Sequence, residues 1–395
     1  DSEEATRMVL AEASSNAWTL SRFAGAGKGP LPPLGSGRRE LVDSAGTVPQ
    51  SFYIQVCREL DGYIKEHCPG ILSRTVVATS DTMEKVLASS GGHDGHTQIP
   101  RSYLYLGMTA QANDGSPVEV FKVVGGYGTF DLNFSDLEAA KRKADEVYAD
   151  LMKKVDAVYT EAGVKTVILS GSLAGMRAHE AVGHTVEADL VLGGSVAAHL
   201  MDREVASGMV SMTDFAHTAL GEAAPLPVFL DDEGVLAKDA VLIQDGILKG
   251  YMHNRESALH FGTEPQGNAR AWMYSDEPLI RMRNTAILPG RDKLDDMIAS
   301  IDDGYYFLET NNGQADSTGE FMFGVTVGYE IKKGKLGRAL RDTTISGIAF
   351  EMLKTVDMLS DQMEWSSSGF CGKKQRMPVG LGGPHVKCRL TVGGR

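Results

Sequence analysis

Residues 164–189 read VKTVILSGSLAGMRAHEAVGHTVEAD, and the rest of the chain is best interpreted outward from them. The β-branched run Val164–Leu169 predicts a buried strand. It feeds a loop over Ser170–Gly175 and then a helix carrying His179-Glu180-Ala181-Val182-Gly183-His184, an HExxxH pattern. Histidines four apart lie about 40° apart around a regular α-helix, whereas five apart they lie about 140° apart. Both imidazoles reach one ion only if the helix carries a π-bulge or ends near Gly183, so one of those irregularities is expected. Neutral imidazoles suit Zn²⁺, and the adjacent Glu180 suits the role of general base toward a water that the ion activates. The competing reading is a helix with two satisfied histidines and a solvated glutamate, and a third ligand decides between them.

Upstream, residues 24–50 are rich in Gly, Pro and Ser without periodicity and read as a linker behind a short helical remnant. Tyr53, Ile54, Val56, Cys57, Leu60 and Ile64 fall at helical spacing over residues 51–66. Residues 73–80 and 103–111 read as strands, with turns at 91–97 and 113–117. Ser135 and Glu138 stand at capping-box spacing ahead of a helical apolar repeat that runs to Gly163. Downstream the pattern is mostly β. Asp245-Gly246 marks a hairpin between 240–243 and 247–252, and Phe321, Phe323, Val325, Val327, Tyr329 and Ile331 alternate as a half-buried strand does. Helices are expected over about 293–303 and 345–362, and residues 370–392 alternate glycines with short apolar strands.

The 395 residues, 42% hydrophobic and 23% charged, exclude disorder as the main state. A formal charge of −13 repels phosphate backbones and anionic lipid, which argues against direct nucleic-acid or membrane partners. Four cysteines are too few for a disulfide framework, and no window is apolar enough to span a bilayer, so a cytoplasmic protein is expected.

Several segments together resemble the catalytic TldD branch of the TldD/PmbA zinc metallopeptidases. They are Gly171–Asp189, the hairpin ending GILKGYM, Gly267-Asn268-Ala269-Arg270, MRNTAILP at 282–289, Gly313-Gln314-Ala315-Asp316, and the tail CGKKQRMPVGLGGPHVKCRLTVGG. The resemblance covers residues 165–395 well and 73–163 more loosely. Thr185 departs from it, standing where glycine is frequent. The resemblance makes His179, His184 and Cys371 the zinc ligands and Glu180 the catalytic base. Around Cys371, Gly369 and Gly372 allow close backbone approach, and Lys373 and Lys374 favour a thiolate. Such a His₂Cys set leaves a fourth position open, as a catalytic site requires. The resemblance also implies small or unfolded peptide substrates and a dimer, either with a second copy or with a PmbA/TldE-like subunit.

Around that set, Glu187 and Asp189 read either as acceptors orienting the imidazoles or as surface carboxylates. Arg270 and Asp316 either face the substrate or form a structural ion pair and turn. His93 and His96 in GGHDGH read as a solvated loop, and Gly125-Gly126-Tyr127-Gly128 as a hairpin or binding loop. Cys57 and Cys68 lack zinc-ribbon spacing. The rival readings are a non-catalytic interaction subunit, and a structural zinc protein whose fourth ligand is His385 or Cys388. The expected architecture is α+β: a remnant and linker over 1–50, a mixed α/β domain over 51–163, and a β-rich metallopeptidase domain over 164–395.

Overall fold

The computed structural model describes residues 2–23, 30–32, 34, 48–89 and 92–394. Most of the expected linker lies outside the described residues. Helix α1 (Glu3–Ser21) buries no residue, whereas α2 (Gln50–His67) buries Val56, Leu60 and Ile64 along one stripe. Strands β1 (Ser73–Ala88), β2 (Asp94–Gln111) and β3 (Pro117–Tyr127) form an antiparallel sheet in the order β1-β2-β3. Helices α3 (Phe130–Phe134) and α4 (Glu138–Lys154) follow, and Ala140, Ala144, Val147 and Leu151 turn the face of α4 onto the same core as α2 and β2.

The first two strands are longer than the sequence suggests, with continuous register from Ser73↔Thr109 to Ala88↔Asp94. The turn expected over 91–97 is therefore mostly strand. Its tip is held by tertiary contacts: the Lys85 ammonium reaches Asp232 and the Ala271 carbonyl. His93 is buried, and His96 pairs with Glu84 at 3.0 Å, so the GGHDGH segment is not the solvated loop expected of it.

The capping box also fails. Ser135 ends α3 instead, and the first turn of α4 is served by the Asp136 carboxylate accepting from the Glu138 amide. The helix stops at Lys154 and does not reach Gly163, because Val158 bridges to Leu340 across the domain.

Strand β4 (Gly163–Leu169) lies in an eleven-stranded sheet, parallel to Asp303–Ala315 on one side and antiparallel to the long strand Gly380–Val392 on the other. Only its second half is buried. The Asp245-Gly246 hairpin forms with φ of 47° and 81°, the left-handed pair of a type I′ turn. Strand Glu320–Lys332 buries all six of the alternating apolar residues.

The helix expected over 345–362 is reduced to Ala349–Lys354. Ile345 pairs with Phe323 in the strand Thr343–Ile348, and Met358–Ser366 pairs with Gly380–Val392. Cross-strand pairing has overridden a weak helical period there. The helix expected at 293–303 likewise shortens to Leu294–Ala299. The molecule is an α+β protein, and among the described residues no helix is long and apolar enough to cross a membrane.

Candidate metal centre

Strand β4 delivers its chain directly into helix α5 (Gly171–Arg177), so the loop expected over 170–175 is absent. Ser170 caps the helix, its hydroxyl accepting from the Leu173 amide at 3.2 Å. The helix lies on strand Gly380–Val392 at the distance glycine permits: a Cβ on Gly175 would sit 2.7 Å from the Gly382 amide nitrogen. Helix and strand ends thereby fix the segment that follows.

Residues Ala178–Gly183 form a π-helix, and the His184 amide donates to the His179 carbonyl, five residues back. The wider turn brings the two imidazoles together, with centroids 5.4 Å apart and planes at 80°. This is the first of the two irregularities that the five-residue spacing demanded. A 3₁₀ turn over His184–Val186 follows at once.

Cys371 comes from far along the chain on the hairpin Phe370–Lys373/Gln375–Pro378, turned by Lys374 at φ 57°. Two long cations fasten that hairpin. The Arg281 guanidinium donates to the carbonyls of Cys371 at 2.7 Å and Gln375 at 3.0 Å. The Lys373 ammonium reaches Glu187 at 2.9 Å, Asp189 at 2.7 Å and the Ile280 carbonyl at 3.1 Å. Lys373 is thus committed to two carboxylates, and Lys374 points to Glu277 at 3.9 Å.

The outcome is a compact donor set. One atom each from His179, His184 and Cys371 lies within 4.8 Å of the others, the one three-donor group of metal-binding type among the described residues. The Cys371 Sγ is 3.2 Å from His184 Nε2. Glu180 completes the set, its carboxylate oxygens 3.7 Å from His184 Nε2 and 4.0 Å from His179 Nε2. Neither ring nitrogen of the buried His179 has a hydrogen-bond partner among the described residues. An imidazole so placed retains a lone pair that only a cation or a proton donor satisfies, and a thiol facing two imidazoles is a donor set suited to zinc.

Electrostatics point the same way. Burial, helped by His184, Arg281 and Arg270, holds the His179 pKa well below the usual imidazole range, so it is neutral and able to donate a lone pair. Burial raises the Glu180 pKa, with Glu187 adding to the rise, which makes its carboxylate a better proton acceptor. For His184, burial acts downward, but the hydrogen bonds with Cys371 and Glu187 outweigh it and hold the pKa up at about 10. The same sulfur and carboxylate that retain this proton would attract a divalent cation to replace it.

Glu187 is fully buried and accepts from His184 Nδ1 at 3.2 Å, so it orients that imidazole. Asp189 pairs with Lys373 and, among the described residues, with no imidazole. Arg270 is buried and donates to the Met282 carbonyl at 2.7 Å, while Asp316 accepts from the Thr318 and Glu320 amides in a turn. Asp316 thus sits in the turn that was one of its two readings, whereas Arg270 forms no ion pair among the described residues and keeps one buried guanidinium nitrogen unpaired. His385 bonds to Tyr306 at 2.8 Å, and neither it nor Cys388 joins the donor set. Sequence reasoning missed Arg281, whose only signal was its place beside the MRNTAILP stretch.

Comparison with known proteins gives two matching family descriptions and several relatives. The family description "PmbA/TldA metallopeptidase C-terminal domain" matches residues 162–394, and "PmbA/TldA metallopeptidase central domain" matches residues 43–167. A protein named "Metalloprotease" from Methanothermobacter thermautotrophicus is 34% identical over 346 residues, covering 85% of this chain and 74% of its own. A "Zinc metalloprotease TldD homolog" from Saccharolobus solfataricus is 32% identical over 337 residues, covering 82% and 72%. The solved structure of TldE from Thermococcus kodakarensis shares the fold, with a TM-score of 0.75 at 18% identity over 97% of this chain and 84% of that one.

Proposed function

The chain belongs to the PmbA/TldD metallopeptidase family, and from that premise we propose that it is a zinc-dependent peptidase acting on small or unfolded peptides, with Glu180 as general base. His179 and His184 would each give a ring nitrogen to the ion and Cys371 its thiolate. When bound, zinc supplies Lewis acidity that makes a water more acidic and polarises the scissile carbonyl. Glu180 takes a proton from the attacking water and passes it to the departing amine as the C–N bond breaks. Glu187 holds the His184 ring in the tautomer that leaves Nε2 free, and the Lys373 and Arg281 contacts keep Cys371 facing both rings. The observation that carries this reading is the convergence of three donor atoms within 4.8 Å, with a carboxylate at 3.7 to 4.0 Å from two of them.

An extended peptide would pair with a sheet edge through main-chain hydrogen bonds, with little dependence on side-chain identity from that source. The partner that fits the family is a second copy or a TldE-like subunit, and a cytoplasmic site of action accords with the free cysteines. Metal analysis of the purified chain and of Cys371→Ser tests ligation: the variant is expected to lose zinc. Glu180→Ala is expected to retain zinc and lose cleavage of an unstructured peptide. Undiminished cleavage by Glu180→Ala rejects the mechanism.

A further inference from the structure

A cleft of about 1000 Å³ lies between the sheet β1–β3 and the C-terminal domain. Met176 and Leu381 on its wall pack with Cys371, and Gly369, two residues before that cysteine, lines it as well. The cleft thus abuts the metal centre. Its volume stands at the upper end of the roughly 300–1,000 Å³ of small-molecule sites, which suits a segment of peptide better than a metabolite.

The walls are unevenly charged, with five carboxylates against two lysines. Both lysines are already neutralised inside the protein, Lys122 by Asp150 at 2.7 Å and Lys143 by Glu146 at 2.6 Å. Glu364 accepts from the Ser172 amide at 2.9 Å. Glu309 differs from these. It is half-buried in the cleft wall, where Lys122 and Lys143 act on it through space but neither closes a hydrogen bond or ion pair with it among the described residues. It stands where strand Asp303–Ala315 slips register against its neighbour, between Phe307 and Glu309 and again before Thr310. A bulge of this kind re-aims a side chain out of the regular alternation, and here Leu308, Glu309 and Thr310 all line the cleft.

We propose that Glu309 is the charge-reading subsite of this cleft and selects peptides that carry a cationic group, a lysine or arginine side chain or a free amino terminus. For this carboxylate burial outweighs the pull of the two lysines, so a cation in direct contact restores what desolvation has taken, whereas a neutral or anionic group restores less or repels. Burial raises its pKa to about 7, so a cation beside it would also draw off a bound proton. The inference rests on the peptidase reading, since it assigns the cleft to the substrate.

The test measures binding by fluorescence anisotropy to the Glu180→Gln chain, which is not expected to turn over. Three unstructured peptides, capped at both ends, differ at one position as Lys, Gln or Glu. The expected order is Lys over Gln over Glu, with about tenfold between the first two. Glu309→Gln is expected to bring the lysine peptide to within about twofold of the glutamine one. Equal affinity of the three capped peptides for the Glu180→Gln chain overturns the proposal without any need for the second substitution, and so does a charge order that survives Glu309→Gln. A glutamine peptide with a free amino terminus identifies the source of the cation: a gain equal to that of lysine means that the subsite accepts either cation, and no gain confines it to side chains. Failure of the peptidase reading shows separately, as no hydrolysis of any of these peptides by the zinc-loaded wild type while the binding order stands.

Discussion

Gly183→Ala probes the π-turn that makes the donor set possible. Gly183 has φ −53° and ψ −48°, a conformation any residue accepts, so the cost of a methyl group there is one of packing alone. A Cβ would lie 2.0 Å from the Met282 sulfur, 3.1 Å from its Cε and 3.3 Å from its Cγ. Non-bonded contacts settle at about 3.5–4.0 Å, so the thioether must retreat by about 1.5 Å. It has no easy path, because Met282 is 1% exposed and lies in the main core. Overpacking of this kind costs about 1–3 kcal/mol, and the strain falls on the residue just before His184. Urea unfolding should show the loss as a lower midpoint at unchanged slope, and competition with a chromophoric chelator should show weaker zinc binding. The same substitution in a Met282→Ala background should cost close to nothing, since the methyl then enters space the thioether has left. An equal penalty in both backgrounds, or none in the wild type, refutes the steric argument.

Two further substitutions test the surroundings of the centre. Glu187→Gln keeps the size of a fully buried side chain but weakens the acceptor for His184 Nδ1, and should lower zinc affinity by about 10–100-fold; an unchanged affinity in a folded variant would mean that Glu187 serves only Lys373. Arg177 is 1% exposed, no nitrogen of its guanidinium has a hydrogen-bond partner among the described residues, and it lies 3.7 Å over the Phe321 ring. Burial lowers its pKa only to about 10, so it remains charged, and Arg177→Met should leave the protein as stable or more so, by up to about 4 kcal/mol in denaturant unfolding. A marked loss of stability would show that the guanidinium is held by contacts worth more than its desolvation.

The sequence by itself determined whatever local periodicity and chemistry specify. The alternation from Phe321 to Ile331 fixed a strand with one buried face, Asp245-Gly246 fixed a hairpin, and the five-residue spacing of His179 and His184 required a departure from the α-helix if both rings were to meet one ion. Only the tertiary structure decided the features that depend on residues far apart in the chain. It turned 345–348 and 358–362 into strands, because Ile345 found Phe323 and Met358–Ser366 found Gly380–Val392. It set Cys371 beside His184 across 187 residues, and paired Lys373 with Glu187 and Asp189. The physical reason is one of range: backbone spacing and side-chain period act within a few residues, whereas a donor set and the cations that brace it are assembled by the packing of strands and hairpins whose order the local pattern does not encode.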